Sequence, residues 1–337
     1  MNGGMRVAAY EKSKSVKLKS ISTMTEGTIW RQILLFSIPL ILGNLLQQMY
    51  NTVDSIIVGN FVGSNALAAV GSSTSLICLL IAFSMGASAG AGVIVSQFYG
   101  AGDENGVQRS AHTALMLALI LGIVLTIAGI VFSPAILRWM RTPEEVMNQS
   151  VLYLRIYSYG LVFNVIYNMA AGILNAVGNS RRSLMYLAVA SFSNIFLDLW
   201  LIGGMHMGVE GAAIATVLSR YVELGIIAVW SHTHTDKVPY IKGVYRTLKI
   251  PKELTQQIAA KGLPLILNEA LWAFGVAILN QCYSTRGLAA VAGINISSTI
   301  TNLFNVVFIA MGSALAIIVG QLLGAGKLKA VSYTHLT

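Results

Sequence analysis

The chain has 337 residues, 55% of them hydrophobic and only 10% charged, with a net charge of +9; its mean hydropathy is +0.70. Soluble domains carry about 25% charged residues, so so few charges exclude a water-soluble globule and leave an integral membrane protein. The two cysteines, Cys78 and Cys282, lie far apart in apolar runs and form no disulfide framework.

Taken in chain order, residues 1–29 are polar and basic (EKSKSVKLKS) and read as a cytoplasmic tail, not a signal peptide. Eight apolar runs follow, at 33–57, 73–97, 110–132, 153–177, 184–202, 209–230, 263–283 and 296–320. Each is near the roughly 20 residues that span a bilayer as a helix. None alternates like a barrel strand, and lipid cannot satisfy an open backbone, so the expectation is all-helical. With the N-terminus inside, most of the 22 basic residues fall on the cytoplasmic side; Arg138, Arg141, Arg155 and Arg286 fall outside and Arg220 lies within the sixth run. The positive charge is thus spent on topology, which leaves no nucleic-acid surface. Residues 231–262 read as a solvated cytoplasmic linker, with a short surface helix from Pro251 to Lys261 and basic residues near anionic headgroups.

Two copies of one pattern run through the chain. SIPLIL (37–42), LAAV (67–70), MGAS (85–88) and SQFYGAG (96–102) are answered, in order, by GLPLIL (262–267), LAAV (288–291), MGSA (311–314) and GQLLGAG (320–326). Both copies enter from the same side, so this is a parallel repeat, one of the known plans of secondary transporters. The two GAG turns read as helix C-caps.

Four acids sit in or beside apolar runs, where an ionisable residue is a functional candidate by default: Asp54, Asp198, Glu223 and Glu269. Asp54 lies near the outer end of the first helix and Asp198 near the outer end of the fifth. Asn194 shares a helix face with Asp198, and Thr216 lies about two turns into the sixth helix. Topology puts these four at one depth; spacing alone does not bring them together. Burial and a second carboxylate both disfavour the charged form, so such a pair can take up one proton and titrate as a unit. Two carboxylates, an amide oxygen and a hydroxyl equally suit a hard cation such as sodium, in which case all four are metal ligands. The plain alternative leaves both acids at helix ends, facing water. Arg220 and Glu223, three apart, form a local pair read as a structural salt bridge at the inner end of the sixth helix. Tyr50, Met49, Phe163, Tyr167 and Met169 line either an apolar cavity or ordinary packing. No nucleophile–base set, phosphate loop or haem motif is present, which argues against an enzyme or a cofactor.

The double pattern, together with NIFLDLWLIGGMHMGVEGAAIATVLSR at 194–220, resembles the multidrug and toxic compound extrusion (MATE) family over roughly residues 28–330. The resemblance implies a two-lobe helical bundle and a secondary antiporter that exports small organic cations in exchange for protons or sodium. It implies a monomer surrounded by lipid in the cytoplasmic membrane, multi-pass, with its N-terminus inside. It also implies that Asp54, Asn194, Asp198 and Thr216 line the cation site of the first lobe. Glu269, in the seventh helix, matches an acid carried by some branches of the family and would serve protonation or substrate charge in the second lobe or inner site, with Glu223 and Arg220 as further candidates there. The expected organisation is a first lobe over 30–230 with six helices, the linker 231–262, a second lobe begun over 263–330 with two helices, and a non-native tail, 331–337 (VSYTHLT), from a truncated frame. The repeat counterpart of Asp54 falls near Leu279 or Asn280, so coupling should be one-sided. Two other readings stand beside this one: a lipid-linked oligosaccharide flippase of related fold, and a non-transporting membrane fragment.

Overall fold

The computed structural model describes residues 24, 28–140, 142–235, 238–241, 250–284 and 288–335. Residues 1–23 of the basic tail, the basic linker residues Lys237, Lys242, Arg246 and Lys249, and Arg141 and Arg286 lie outside the described residues. Among the described residues there are only helices and turns: α1 (Ile29–Phe61), α2 (Ser64–Gly100), α3 (Glu104–Trp139), α4 (Glu144–Tyr159), α5 (Leu161–Ala176), α6 (Ser180–Asp198), α7 (Gly208–Thr233), α8 (Lys252–Ser284), α9 (Leu288–Gly324) and α10 (Leu328–His335). Six helices among the described residues are long and apolar enough to cross a membrane, and every apolar run named above falls on helix.

The bundle is inside-out relative to a soluble protein. Large apolar side chains such as Trp30, Leu35, Phe132, Phe192, Phe196 and Val229 are exposed, whereas Ala69, Ala91, Ala114, Ala118, Ala212 and Ala213 are buried. Small residues let helix backbones approach where lipid supplies no hydrophobic drive, and hydroxyls then bond across. Ser73 donates to the Ser150 carbonyl at 3.3 Å, and Ser150 donates back to the Ala69 carbonyl at 3.2 Å. Ser88 donates to the Asn168 carbonyl at 2.7 Å. These bonds fasten α2, the central helix, to α4 and α5; α2 also packs against α3, α8 and α9.

The two GAG turns close in the same way. Gly102 and Gly326 both adopt φ near +70°. Asp103 N–H bonds the Phe98 carbonyl and Lys327 N–H bonds the Leu322 carbonyl, each at 3.0 Å. This is the six-to-one bond of a glycine C-cap, which only a residue without Cβ adopts cheaply. Just before these caps the two copies cross. Gly100 lies against the backbone of Gln321, and Gly324 lies against the backbone of Gln97; a Cβ at either glycine would run into it. The residues are repeat counterparts, so the contact is reciprocal. Gln321, fully buried, donates to the Ala176 carbonyl at 2.8 Å and accepts from Met24 N–H at 3.1 Å.

Three local expectations are corrected. The fourth apolar run is two helices, α4 and α5, broken at Gly160, where Gly160 N–H turns back to the Tyr157 carbonyl at 2.9 Å and the backbone passes close to Val217 of α7. Pro251–Lys261 is not a separate surface helix but the first third of α8, which runs unbroken through Pro264. The described part of the linker is only partly solvated: Lys252, Glu253, Gln256, Gln257 and Lys261 are exposed, but Val238, Tyr240, Leu254 and Ile258 are buried in the main core. Leu254 and Ile258 are one turn apart and face inward together. Burial beside Tyr99 and Tyr186 holds the Tyr240 phenol well above its ordinary range. Farther along, residues 331–335 continue α10, with Ala330 and Val331 against the cluster of Phe36, Ala314, Ile318 and Leu322.

Candidate ion and substrate site

The acid pair is assembled from two helices. Asp54 lies seven residues before the end of α1, roughly 10 Å along the axis. Asp198 is the last residue of α6 and is followed at once by a π-helical turn, Leu199–Gly204. Such local widening often occurs at functional sites. α1 and α6 pack along one another, and the Asp54 and Asp198 carboxyl groups lie within hydrogen-bonding reach. Asp198 has no solvent-exposed surface, Asn194 is 2% exposed and Thr216 is 8% exposed. The alternative in which both acids face water is therefore excluded for Asp198.

The oxygens here lack a donor, and the Asn194 Nδ2 lacks an acceptor. Both oxygens of Asp198, Oδ1 of Asp54 and both ends of the Asn194 amide are buried without a hydrogen-bond partner. Two carboxylates cannot bond each other; one added proton turns one of them into a donor to the other. A hard cation would satisfy the same oxygens from the outside. The residues present thus fit either ion. Thr216 Oγ1 donates to the Ala212 carbonyl at 3.0 Å, which leaves its lone pairs open. Thr216 reaches this end of the bundle because α7 packs against α6 and the π turn. Among the described residues, no three His, Cys, Asp or Glu side chains cluster as a transition-metal site would require.

A second buried cluster stacks on the first. Tyr50 is four residues before Asp54 on the same face of α1. Arg220 donates to the Tyr50 hydroxyl, stands 5.7 Å from the centre of its ring, and donates to Glu223 Oε2 at 2.7 Å. Arg220 is 7% exposed and Glu223 not at all. Tyr167 lies near Glu223, and Ser183 near Tyr167. The expected Arg220–Glu223 pair forms, but in the middle of α7 rather than at its inner end, and tied to α1.

Tyr153 and Tyr157 were not singled out from the sequence. Both are buried, their rings stacked at 6.4 Å between centroids; Tyr153 feels both aspartates and Tyr157 feels Arg220. Their i, i+4 spacing on a helix carrying charged residues was the available signal. Glu269 stands apart: it is half-buried on α8, with no ion-pair partner among the described residues.

The MatE family model matches residues 39–200 and 264–337, most of the chain and both copies of the repeat. The chain belongs to the MatE family. Among curated MatE relatives, it is 31% identical over 307 residues to the probable multidrug resistance protein YoeA of Bacillus subtilis, covering 90% of this chain and 66% of that protein. It is 26% identical over 304 residues to the probable multidrug resistance protein NorM of Thermotoga maritima, covering 89% and 64%. The chain thus spans about two thirds of the length of these relatives. Among solved MatE-like structures, an outward-facing multidrug resistance MATE family transporter of the MOP superfamily superposes with a TM-score of 0.84 at 29% identity, over 93% of this chain and 69% of that one. A MOP superfamily transporter from Pyrococcus furiosus, described as having a binding pocket of reversed polarity, gives 0.86 at 29% identity, over the same shares. This is a multi-pass membrane chain of a transporter family, with the all-helical fold expected from its sequence.

Proposed function

We propose that this chain carries the ion-coupling lobe of a cation-coupled antiporter that exports organic cations or drugs. The observation that carries the reading is the Asp54–Asp198 pair: two carboxyl groups from different helices, within hydrogen-bonding reach and short of donors. A proton or a sodium ion neutralises the pair, with Asn194 and Thr216 completing the oxygen set. Losing that ion leaves uncompensated negative charge, which attracts an organic cation. Exchange follows because one negative site is shared by two cations that cannot both occupy it.

The rest of the reading is a frame for that site. Residues 30–230 form the first lobe and 263–330 begin the second, with the N-terminus on the cytoplasmic side and the protein a monomer in the cytoplasmic membrane. Glu269 serves substrate charge in the second lobe. The flippase reading is disfavoured by Arg220, whose charge is already met by Glu223 and is not free for a pyrophosphate.

The test is ethidium efflux in everted vesicles, with proton and sodium gradients imposed separately. Efflux should follow one of the gradients and be lost in Asp54→Asn and Asp198→Asn. Full gradient-driven efflux in both variants would sink the proposal.

A further inference from the structure

One charged groove lies outside the site. At the end of the bundle where α3 finishes and α4 begins, a cavity of about 390 Å³ is lined by Pro134, Arg138, Met147, Asn148, Val151 and Arg155, with Leu152 beside them. Arg138 and Arg155 are both exposed. Neither makes an ion pair among the described residues; the one pair found there is Arg220–Glu223. Glu144 and Glu145, in the first turn of α4, are close in sequence but form no ion pair with them.

The groove also sits at a particular level of the membrane. Arg138 follows the apolar run of α3 and Arg155 opens the apolar run at 153–177, so both guanidiniums flank the boundary between headgroups and acyl chains. Trp139, 81% exposed, marks the same boundary, where tryptophan is enriched. Val131 and Phe132, about two turns earlier on α3, are also exposed apolar side chains. Two exposed guanidiniums at the headgroup level, with no ion-pair partner among the described residues, are open to an anion there. Guanidinium matches phosphate oxygens in pairs, and Val151, Leu152 and Met147 give the same groove an apolar floor.

We infer that the α3–α4 groove binds the headgroup of an anionic phospholipid, its phosphodiester held between Arg138 and Arg155, Asn148 contacting the glycerol oxygens, and its acyl chains lying along Val151 and Leu152. The site is independent of the ion pathway.

Native mass spectrometry of the full chain, in micelles doped with equal phosphatidylglycerol and phosphatidylcholine, tests this. Each basic residue near an anionic lipid contributes a factor of about five, so the wild type should retain phosphatidylglycerol about 30-fold more than phosphatidylcholine. Arg138→Gln and Arg155→Gln should each lose about fivefold and the double variant the whole preference. Arg31→Gln, at the far end of α1, should keep it. If the double variant does not fold, the two single variants decide. Unchanged preference in the single variants would overturn the assignment, and so would displacement of the lipid by inorganic phosphate, which would make this a free-phosphate site.

Discussion

Two buried polar clusters sit one turn apart on α1, and they are opposites. Around Asp54, like charges face each other and the surrounding oxygens lack donors. Around Tyr50, a cation and an anion meet at 2.7 Å and tyrosines close in on the pair. The first arrangement carries like charges that only an added ion balances; the second is balanced in charge within the chain, although Arg220 Nε and Glu223 Oε1 are also buried without a hydrogen-bond partner. Both are buried and both are ionisable, so burial alone does not mark a coupling site. What marks it is an electrical imbalance that a small cation can correct.

The largest effect should come from removing that imbalance. Asp198→Asn replaces one carboxylate with a neutral amide that can donate, and gradient-driven efflux should fall by at least about 100-fold, which is the roughly 3 kcal/mol lost with one buried charge-assisted contact. Melting of the same purified variant should move upward, because a like-charge contact is gone.

The second cluster should respond with the opposite sign. Glu223→Gln leaves Arg220 buried without its counter-charge and should cost about 3–5 kcal/mol, since breaking a buried pair strands a charge. A thermal melt of the detergent-solubilised protein reads this directly. If Glu223→Gln melted higher and Asp198→Asn lower, the contrast between the clusters would be reversed.

Tyr50→Phe tests the connection between them. It removes one hydrogen bond from a charged donor and should cost about 1.5–3 kcal/mol in stability, with the ion preference unchanged in gradient-driven efflux. The smallest effect is expected at Thr216→Val. It deletes a 3.0 Å bond to the Ala212 carbonyl, worth about 1 kcal/mol. It also deletes one oxygen from the proposed ion set, so efflux should drop several-fold if the sodium gradient drives it and stay within about twofold if the proton gradient does, given that hydroxyl ligation matters only to a hard cation.

Hydropathy was sufficient to place the six long apolar helices among the described residues, because lipid leaves a backbone few choices. It was also sufficient to single out Asp54, Asp198 and Arg220, since each breaks an apolar run. It was silent on which helix faces meet. The bond between Arg220 and Tyr50 joins residues 170 apart in sequence, and Tyr153 and Tyr157 look like ordinary apolar content until α4 is placed beside α2 and α7. The break at Gly160 was hidden for a related reason: its cause is the passing backbone of α7 near Val217, not any local turn signal. The folding of the linker onto the core was more accessible, for Leu254 and Ile258 carry the helical spacing; the basic residues around them masked it.

The crossing of the repeats has a consequence of another kind. At Gly100 and Gly324 the contact is main chain on main chain, and each glycine is met by the glutamine that is its partner's counterpart. No side chain stands between the two helices to be re-angled when the halves shift. A side chain added at either glycine would push the backbone of one copy off the other, so the two repeats are bound to a single spacing at this point.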